Sequence, residues 1–528
     1  MWLEVLCLVT LLAFSFYRWV TVNNDFFAKR GIPYDKPLFL MGSFVEIFRR
    51  QKPMYDVIID LYNKHDGKVY GIFDQRQPLL LIRDPELIKL MAIRDFEHFP
   101  NHRNAFLKDD AHESHIFGSS LFFLQNAKWK EMRNTLSPAF TGSKLRNTFL
   151  LMNEVGQQIG VYLDGEIAKK CDHMGGMDLN LKDLAKRFTS DVIATTAFGV
   201  QVNSFSEADN EFYTMGKKMT SFTFWQNIKF VLISNFGKLC KLLNIDLFDK
   251  KFTNYYMNLV MNTMAYRKQH NVVRPDMINM LMEAQGLLGK EKPNKGKYKW
   301  TDTDMVAQCL LFFIAGYETV SSLMCFTALE LMFNPKIQEK LYEEISKVSQ
   351  ELGDQPLTYE VIQNMTYLDM IISEVLRKWP GTLAVDRVCS KEISYDLDNG
   401  QKLTINAGDA VWFPINALHM DAKYWPEPEK FMPERFSEEN KEKIMPFTYM
   451  PFGVGPRNCI GSRLALLEAK SYIYYLVRDY RIESSPQMYN PTKLSPNLFE
   501  MVPEGGFWFR LVQRKFVVEK LPDIDYEY

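Results

Sequence analysis

The chain has 528 residues, 47% hydrophobic and 24% charged, ordinary globular usage that excludes wholesale disorder, a collagen-like chain and a multi-span membrane protein. With 63 Lys and Arg against 64 Asp and Glu the net charge is −1, which argues against nucleic acid as a main partner. Aromatics reach 14%, with 39 Phe, enough to build a large core and line a large apolar cavity.

The first element is apolar. Val5–Tyr17 is uninterrupted, and with flanks out to Val22 a helix there measures roughly 30 Å, just enough to span a bilayer. Glu4 and Arg18 can snorkel at its ends. A cleaved signal peptide needs a basic start and a small-residue cleavage site, and neither is present. Residues 1–22 therefore read as a membrane anchor, the alternative being a buried first helix. Arg18, Lys29 and Arg30 follow the apolar run and leave the rest of the chain cytosolic. Residues 23–40, with Arg30-Gly31-Ile32-Pro33 and Lys36-Pro37, read as a stiff linker, and residues 41–528 as the body.

Within the body Leu80–Ile82 is a short strand candidate, followed by a helix start at Asp84-Pro85-Glu86. Helical patterns run over Asn126–Leu136, Leu145–Ala168, Leu181–Phe198 and the Phe-rich 207–285 region. Residues 286–300 carry Lys, Gly and Pro and read as a solvated loop. Thr303–Met332 is apolar on nearly all sides and should be buried. Helices over Lys336–Leu352 and Leu368–Lys378 follow. Ile393–Leu397 and Lys402–Ile405 flank Asp398-Asn399-Gly400, a strong hairpin signal. A further β-like stretch closes the chain at FWFRLVQR. The expected class is mainly α with a smaller β portion towards the last third.

Seven cysteines are scattered with no CxxC. That excludes a disulfide framework or a zinc site of usual spacing and suggests a reducing compartment. The eight histidines lie in no metal spacing and read as structural or exposed. One cysteine stands apart, in Pro451-Phe452-Gly453-Val454-Gly455-Pro456-Arg457-Asn458-Cys459-Ile460-Gly461. The glycines let the backbone turn tightly and approach a flat ligand. Cys459 sits just before an apolar helix, Ser462–Val477, whose free N–H groups and dipole favour a thiolate.

This loop resembles the heme-thiolate loop of the cytochrome P450 family, FGxGxRxCxG, at Phe452, Gly453, Gly455, Arg457, Cys459 and Gly461. Other segments resemble the family in the same order. Glu374-Val375-Leu376-Arg377 is an ExxR, and Pro433-Glu434-Arg435-Phe436 supplies a second arginine. The resemblance implies a buried structural cluster of Glu374, Arg377 and Arg435. Ala315-Gly316-Tyr317-Glu318-Thr319 lies mid-helix, where a Thr is poorly suited. Read alone, Thr319 bonds its i−4 carbonyl and Glu318 faces a cavity or water. By resemblance Ala315 lies against the heme, and Glu318 and Thr319 are the catalytic pair that relays protons to dioxygen. Trp129 and Arg133 form a WxxxR, and by resemblance Trp129, Arg133, Arg387 and Arg457 clamp the heme propionates. The long helix and its sequel resemble the microsomal, xenobiotic-metabolising branch. The RGIPYDKP linker is similar to that of insect detoxification P450s.

The resemblance implies the cytochrome P450 fold, a helical heme domain plus a β-rich subdomain behind the anchor. It also implies heme b ligated by the Cys459 thiolate, and a monooxygenase using O2. The chain has no GxGxxG after a strand and no length for a flavin domain. Electrons from NADPH are then expected through NADPH–cytochrome P450 reductase, sometimes with cytochrome b5, at the endoplasmic reticulum membrane. A face with Lys128, Lys130, Arg133 and Lys443 could dock an acidic partner. Family position suggests Phe106, Phe117, Phe312, Phe313, Leu383, Val385 and Phe499 as lining for lipophilic substrates. The aromatic Phe222–Phe236 stretch is either a lid dipping into the membrane surface or a packed core helix. Broad detoxification and oxidation of one endogenous lipid or hormone stay open. A heme-thiolate isomerase or dehydratase fits the Glu318-Thr319 pair and the anchor less well.

Overall fold

The computed structural model describes all residues except 104–115, 173–174, 222–223, 275, 286, 288–297, 299, 398–399, 498–499 and 515–528. The chain is mainly helical with several small sheets. Helix α1 (Trp2–Thr21) stands almost wholly exposed, with only Val20 buried. The segment expected as a linker is docked on the body. Phe27 is buried and its ring fills the place a Cβ at Gly71 would take. Arg30 pairs with Asp409 at 2.5 Å, and Tyr34 bridges to Gly71.

The main sheet pairs β1 (Val69–Asp74), β2 (Gln77–Ile82), β4 (Val385–Val388) and β7 (Ala410–Phe413) in the order β1-β2-β7-β4. Only β2 and β7 run parallel. β2 takes in the expected Leu80–Ile82 strand, whereas the sequence pattern does not foresee β1. β1 is buried along nearly its whole length, so it lacks the alternation that marks a half-exposed strand. Strands β3 (Gly176–Asn180), β8 (Tyr480–Ser484) and β11 (Trp508–Gln513) form a second sheet. Strands β5 (Ile393–Asp396) and β6 (Lys402–Ile405) pair as the expected hairpin.

Among the helices, α2 (Asn126–Leu136), α3 (Gly142–Lys170) and α4 (Leu181–Ile193) match the expected stretches closely. The last turn of the expected Leu181–Phe198 helix loosens into a π-turn over Ala194–Phe198. Helix α5 (Phe224–Leu242) bends at Phe236. Helix α6 (Asp302–Phe333) opens on a capping box between Thr301 and Asp304, which satisfies two orphan donors reciprocally. It is apolar enough to cross a membrane, but over half of that window is buried. It runs through two cores: its first half, with Met305, Phe313 and Tyr317, packs into one, and its second half, with Val320, Met324 and Phe326, into the other. Phe326 stacks on Trp379, centroids 4.6 Å apart. Helices α7 (Thr366–Lys378) and α8 (Ser462–Asp479) complete the second of these cores. Each such side chain, fully buried, contributes about 1.5–3 kcal/mol.

Candidate active site

Four elements converge on one cavity of about 400 Å³: α2, α6, the strand entry before β4, and the loop leading into α8. The loop is built by backbone geometry. Gly453 and Gly455 both hold φ of +74°, and a Cβ at Gly455 would meet the Ala92 carbonyl oxygen at 2.1 Å. The Gly453 N–H donates to the Met450 carbonyl at 2.9 Å, and the Cys459 N–H to the Phe452 carbonyl at 2.8 Å. These bonds fold the loop back on itself and set Cys459 three residues before α8. The cysteine side chain is open to the cavity. Burial pushes its thiol up, while the Gly461 N–H and the Arg133 guanidinium pull the other way.

Cations gather at one rim. Arg133 donates to the carbonyl and to the side-chain oxygen of Asn458, both at 2.8 Å. Arg457 lies over the Trp129 ring at 4.2 Å and donates to the Pro100 and Leu124 carbonyls. Burial, with Arg387 nearby, lowers the Arg457 pKa to about 9. Arg387, on β4, is fully buried and does not line the cavity; burial brings it down to about 10. Among the described residues its Nε has no partner, while Nη1 lies 3.4 Å from His102 Nδ1. His102 lines the cavity, stacks on Phe122, and sits 3.1 Å from Asp386. Burial alone would raise the Asp386 carboxyl, but His102 and Arg103 hold it well below the usual range.

Across the cavity α6 presents Phe312, Ala315, Gly316 and Thr319. The Thr319 hydroxyl donates to the Ala315 carbonyl at 2.6 Å, the bond expected of a mid-helix Thr. Glu318 turns away from the cavity. Lys182 and Lys186 of α4 hold its carboxylate at 2.6 and 2.9 Å. Burial would raise the Glu318 carboxyl, but these two ammoniums bring it below its ordinary value.

Behind the loop, Glu374 of α7 takes Arg377 in a two-pronged pair at 2.8 and 2.9 Å and Arg435 at 3.3 Å. The Met432 N–H adds a bond to the same carboxylate. Arg377 also donates to the His419 and Pro428 carbonyls. The three residues thus lie together, Glu374 and Arg377 buried and Arg435 partly so, with their hydrogen-bonding capacity largely used.

The cavity brings together Trp129, Arg133, Phe312, Ala315, Thr319, Val385, Phe452, Arg457, Cys459 and Gly461. Two expectations for its lining are corrected. Phe313 points away from the cavity, stacked on Tyr317 and packed against Tyr256 and Phe212. It is one residue from Phe312, about 100° round the helix. Leu383 packs into the cores beside the main sheet and not into the cavity. Phe106 and Phe499, and the side chain of Phe117, lie outside the described residues.

Four participants went unnoticed in the sequence: His102, Lys182, Lys186 and Glu468. His102 was set aside with the other histidines. The lysines are i, i+4 on a helix whose other residues are mostly buried, a weak cue. Glu468 is an acid inside the apolar run of α8. It lines the cavity with Oε2 unpartnered, and burial pushes its carboxyl up to about 8.

Comparison with known proteins accords with this geometry. The family model "Cytochrome P450" matches residues 32–508. "Probable cytochrome P450 9f2" of Drosophila melanogaster is 52% identical over 97% of this chain and 99% of its own. "Cytochrome P450 9e2" of Blattella germanica is 41% identical over 97% and 98%. "Cytochrome P450 3A16" of Mus musculus is 33% identical over 98% of each chain. The chain belongs to the cytochrome P450 family. It is a monooxygenase, and insect members of that family are among its relatives.

The family implies a heme whose iron is held by a cysteine thiolate, and the residues present fit such a group. A lone thiol opens into an apolar cavity, and buried cations stand at one rim. Arg387 carries an unpartnered Nε there, and Arg457 and Arg387 both have lowered pKa values. Asp386 is taken up by His102 and Arg103, and the remaining cations suit a planar ligand bearing carboxylates.

Proposed function

We propose that the protein is a membrane-anchored heme-thiolate monooxygenase that inserts one oxygen atom from O2 into lipophilic xenobiotics such as plant toxins and insecticides. The observation that carries this reading is the Cys459 side chain open to an apolar cavity, faced by Ala315 and Thr319 across it and flanked by a cationic rim. Heme b, when bound, supplies the redox chemistry that activates dioxygen. The protein's own groups do the rest. Cys459 offers the thiolate, favoured by the Gly461 N–H and Arg133. Trp129 and Arg457, with Arg387 behind them and Arg133 once it leaves Asn458, would hold the carboxylates and orient the ligand. The Thr319 hydroxyl can turn from the Ala315 carbonyl to offer its proton inside the cavity. Glu318, held away from the cavity by Lys182 and Lys186, can restore it only by leaving those lysines and taking up a proton. Phe312, Val385 and Met501 exclude water around an apolar substrate. Glu374, Arg377 and Arg435 support the cysteine loop from behind.

NADPH is the electron source through NADPH–cytochrome P450 reductase, with cytochrome b5 as an auxiliary donor. Exposed Lys128, Lys130 and Lys443 supply charge for an acidic partner; Arg133 is already engaged by Asn458. The exposed apolar α1 supports anchoring in the endoplasmic reticulum membrane with the body in the cytosol. The lid reading of the Phe222–Phe236 stretch gains support from α5. Its Trp225, Phe236, Leu239 and Leu242 are exposed, and Phe236 stacks on Trp19 of α1.

The test is the reduced, CO-bound difference spectrum of membranes carrying the protein or Cys459→Ala. A strongly red-shifted Soret band, lost in the variant, supports the thiolate assignment. A heme-loaded protein with only a histidine-type band overturns it. Reductase-dependent turnover across a panel of lipophilic compounds then separates the two substrate readings. Breadth favours detoxification, and one fast substrate favours an endogenous lipid or hormone.

A further inference from the structure

His419 is fully buried at the end of a short helix, Ile415–His419. Both ring nitrogens are used. Nδ1 lies 3.1 Å from the Arg377 carbonyl oxygen, and Nε2 lies 2.8 Å from the Met450 N–H. A carbonyl can only accept and an amide N–H can only donate, so the ring is neutral with its proton on Nδ1. Burial, with the Arg377 guanidinium alongside, holds its pKa down to about 3, in keeping with that state. The bond to Arg377 is reciprocal: Arg377 Nη1 donates to the His419 carbonyl at 2.9 Å. The ring also stacks on Tyr449 at 5.4 Å, and the Tyr449 hydroxyl donates to the Ser373 carbonyl of α7 at 3.0 Å.

Met450 is where the cysteine loop begins. Its carbonyl accepts the Gly453 N–H, and one residue before Gly453 the Phe452 carbonyl accepts the Cys459 N–H. A continuous line of contacts therefore runs from the Glu374–Arg377–Arg435 cluster through one imidazole to the peptide that presents the sulfur. Neither Arg377 nor Arg435 donates a hydrogen bond to any residue between Met450 and Gly461.

We propose that His419 is a positioning residue for Cys459: a neutral imidazole that carries the placement of the charged cluster on α7 to the first turn of the cysteine loop. The inference rests on the reading of Cys459 as the iron ligand. Without an acceptor at Nε2, the Met450 N–H would be buried and unpaired. The loop would then relax to satisfy it and draw Cys459 from its place.

The test uses the full-length protein in membranes, comparing His419→Phe, which keeps the stacking ring, with His419→Gln, which can accept from Met450 and donate to Arg377. The readout is the share of the CO-bound thiolate band and its rate of conversion to the short-wavelength band at constant temperature. The expected result is conversion faster by about tenfold in the Phe variant, with the Gln variant near the wild type. Equal conversion in Phe variant and wild type overturns the proposal, as does a lowered unfolding temperature with no change in the band. If the Phe variant fails to take up heme, His419→Asn replaces it. Its shorter amide serves Arg377 but not Met450, so Asn converting no faster than Gln overturns the proposal. A wild type lacking the thiolate band would instead refute the ligand assignment, a separate outcome.

Discussion

Glu468 shows how a single side chain can set a property of the whole molecule. Its carboxyl stays protonated in the fold up to about pH 8 and ionises in the unfolded chain from about 4.5. Between those values the folded state binds the extra proton, so stability falls as pH rises, by at most about 1.4 kcal/mol per pH unit. Asp191, pushed up to about 7 by burial, acts in the same direction over the lower part of that window. Glu468→Gln should therefore remove a falling contribution from the pH dependence of stability, read by denaturant unfolding from pH 5 to 8; below 6.5 the buried His102 and His419, with lowered pKa values, act in the opposite direction. Glu318 is the opposite case. Its pKa is lowered in the fold, so its contribution is present above its ordinary value and fades as pH drops through the lowered one. Glu318→Gln should cost about 10²-fold in kcat with little change in KM. It should also soften acid unfolding below pH 4.5, checked by turnover and by thermal scans in acid.

Helices and loops answer to different cues, and the sequence was legible where chemistry demands neighbours close along the chain. The cysteine loop and the Glu374–Arg377 pair are local, and so is the helix start at Asp84. Helix α6 was legible as buried but not in its facing. An all-apolar helix gives no moment to orient it, so Phe312 and Phe313 could not be told apart. The Lys182–Glu318 pair joins residues 136 positions apart, and His102 meets Asp386 across 284. Such contacts leave no periodic trace. The structural cluster makes its own prediction. Arg377→Ala leaves the buried Glu374 carboxylate with the Met432 N–H and the longer contact to Arg435, a loss of about 3–5 kcal/mol. Arg435→Ala should cost less, because the two-pronged pair survives. Thermal unfolding and heme content of the two variants would order them.

At the scale of the molecule, exposed apolar groups gather where α1 meets the body. Tyr17 stacks on Phe39 and Trp19 on Phe236, while Leu38, Leu40, Leu239 and Leu242 remain exposed. Removing residues 2–18, which spares Trp19 and Val20, should weaken vesicle binding without abolishing it. Adding Leu239→Asp and Leu242→Asp should release the truncated protein, as followed by vesicle flotation. Release by truncation alone would mean that α1 is the sole attachment.

The docking of residues 23–40 has a mechanical meaning. Phe27 is a plug in the body, and Arg30 is tied to Asp409. The tether has no slack and the body no swivel. A rigid coupling of this kind makes heading relative to the bilayer normal an inherited quantity, as a keel sets the trim of a hull. In oriented membranes the protein should therefore adopt one narrow tilt. Loosening the plug with Phe27→Ala should broaden that distribution while the cavity itself keeps its shape.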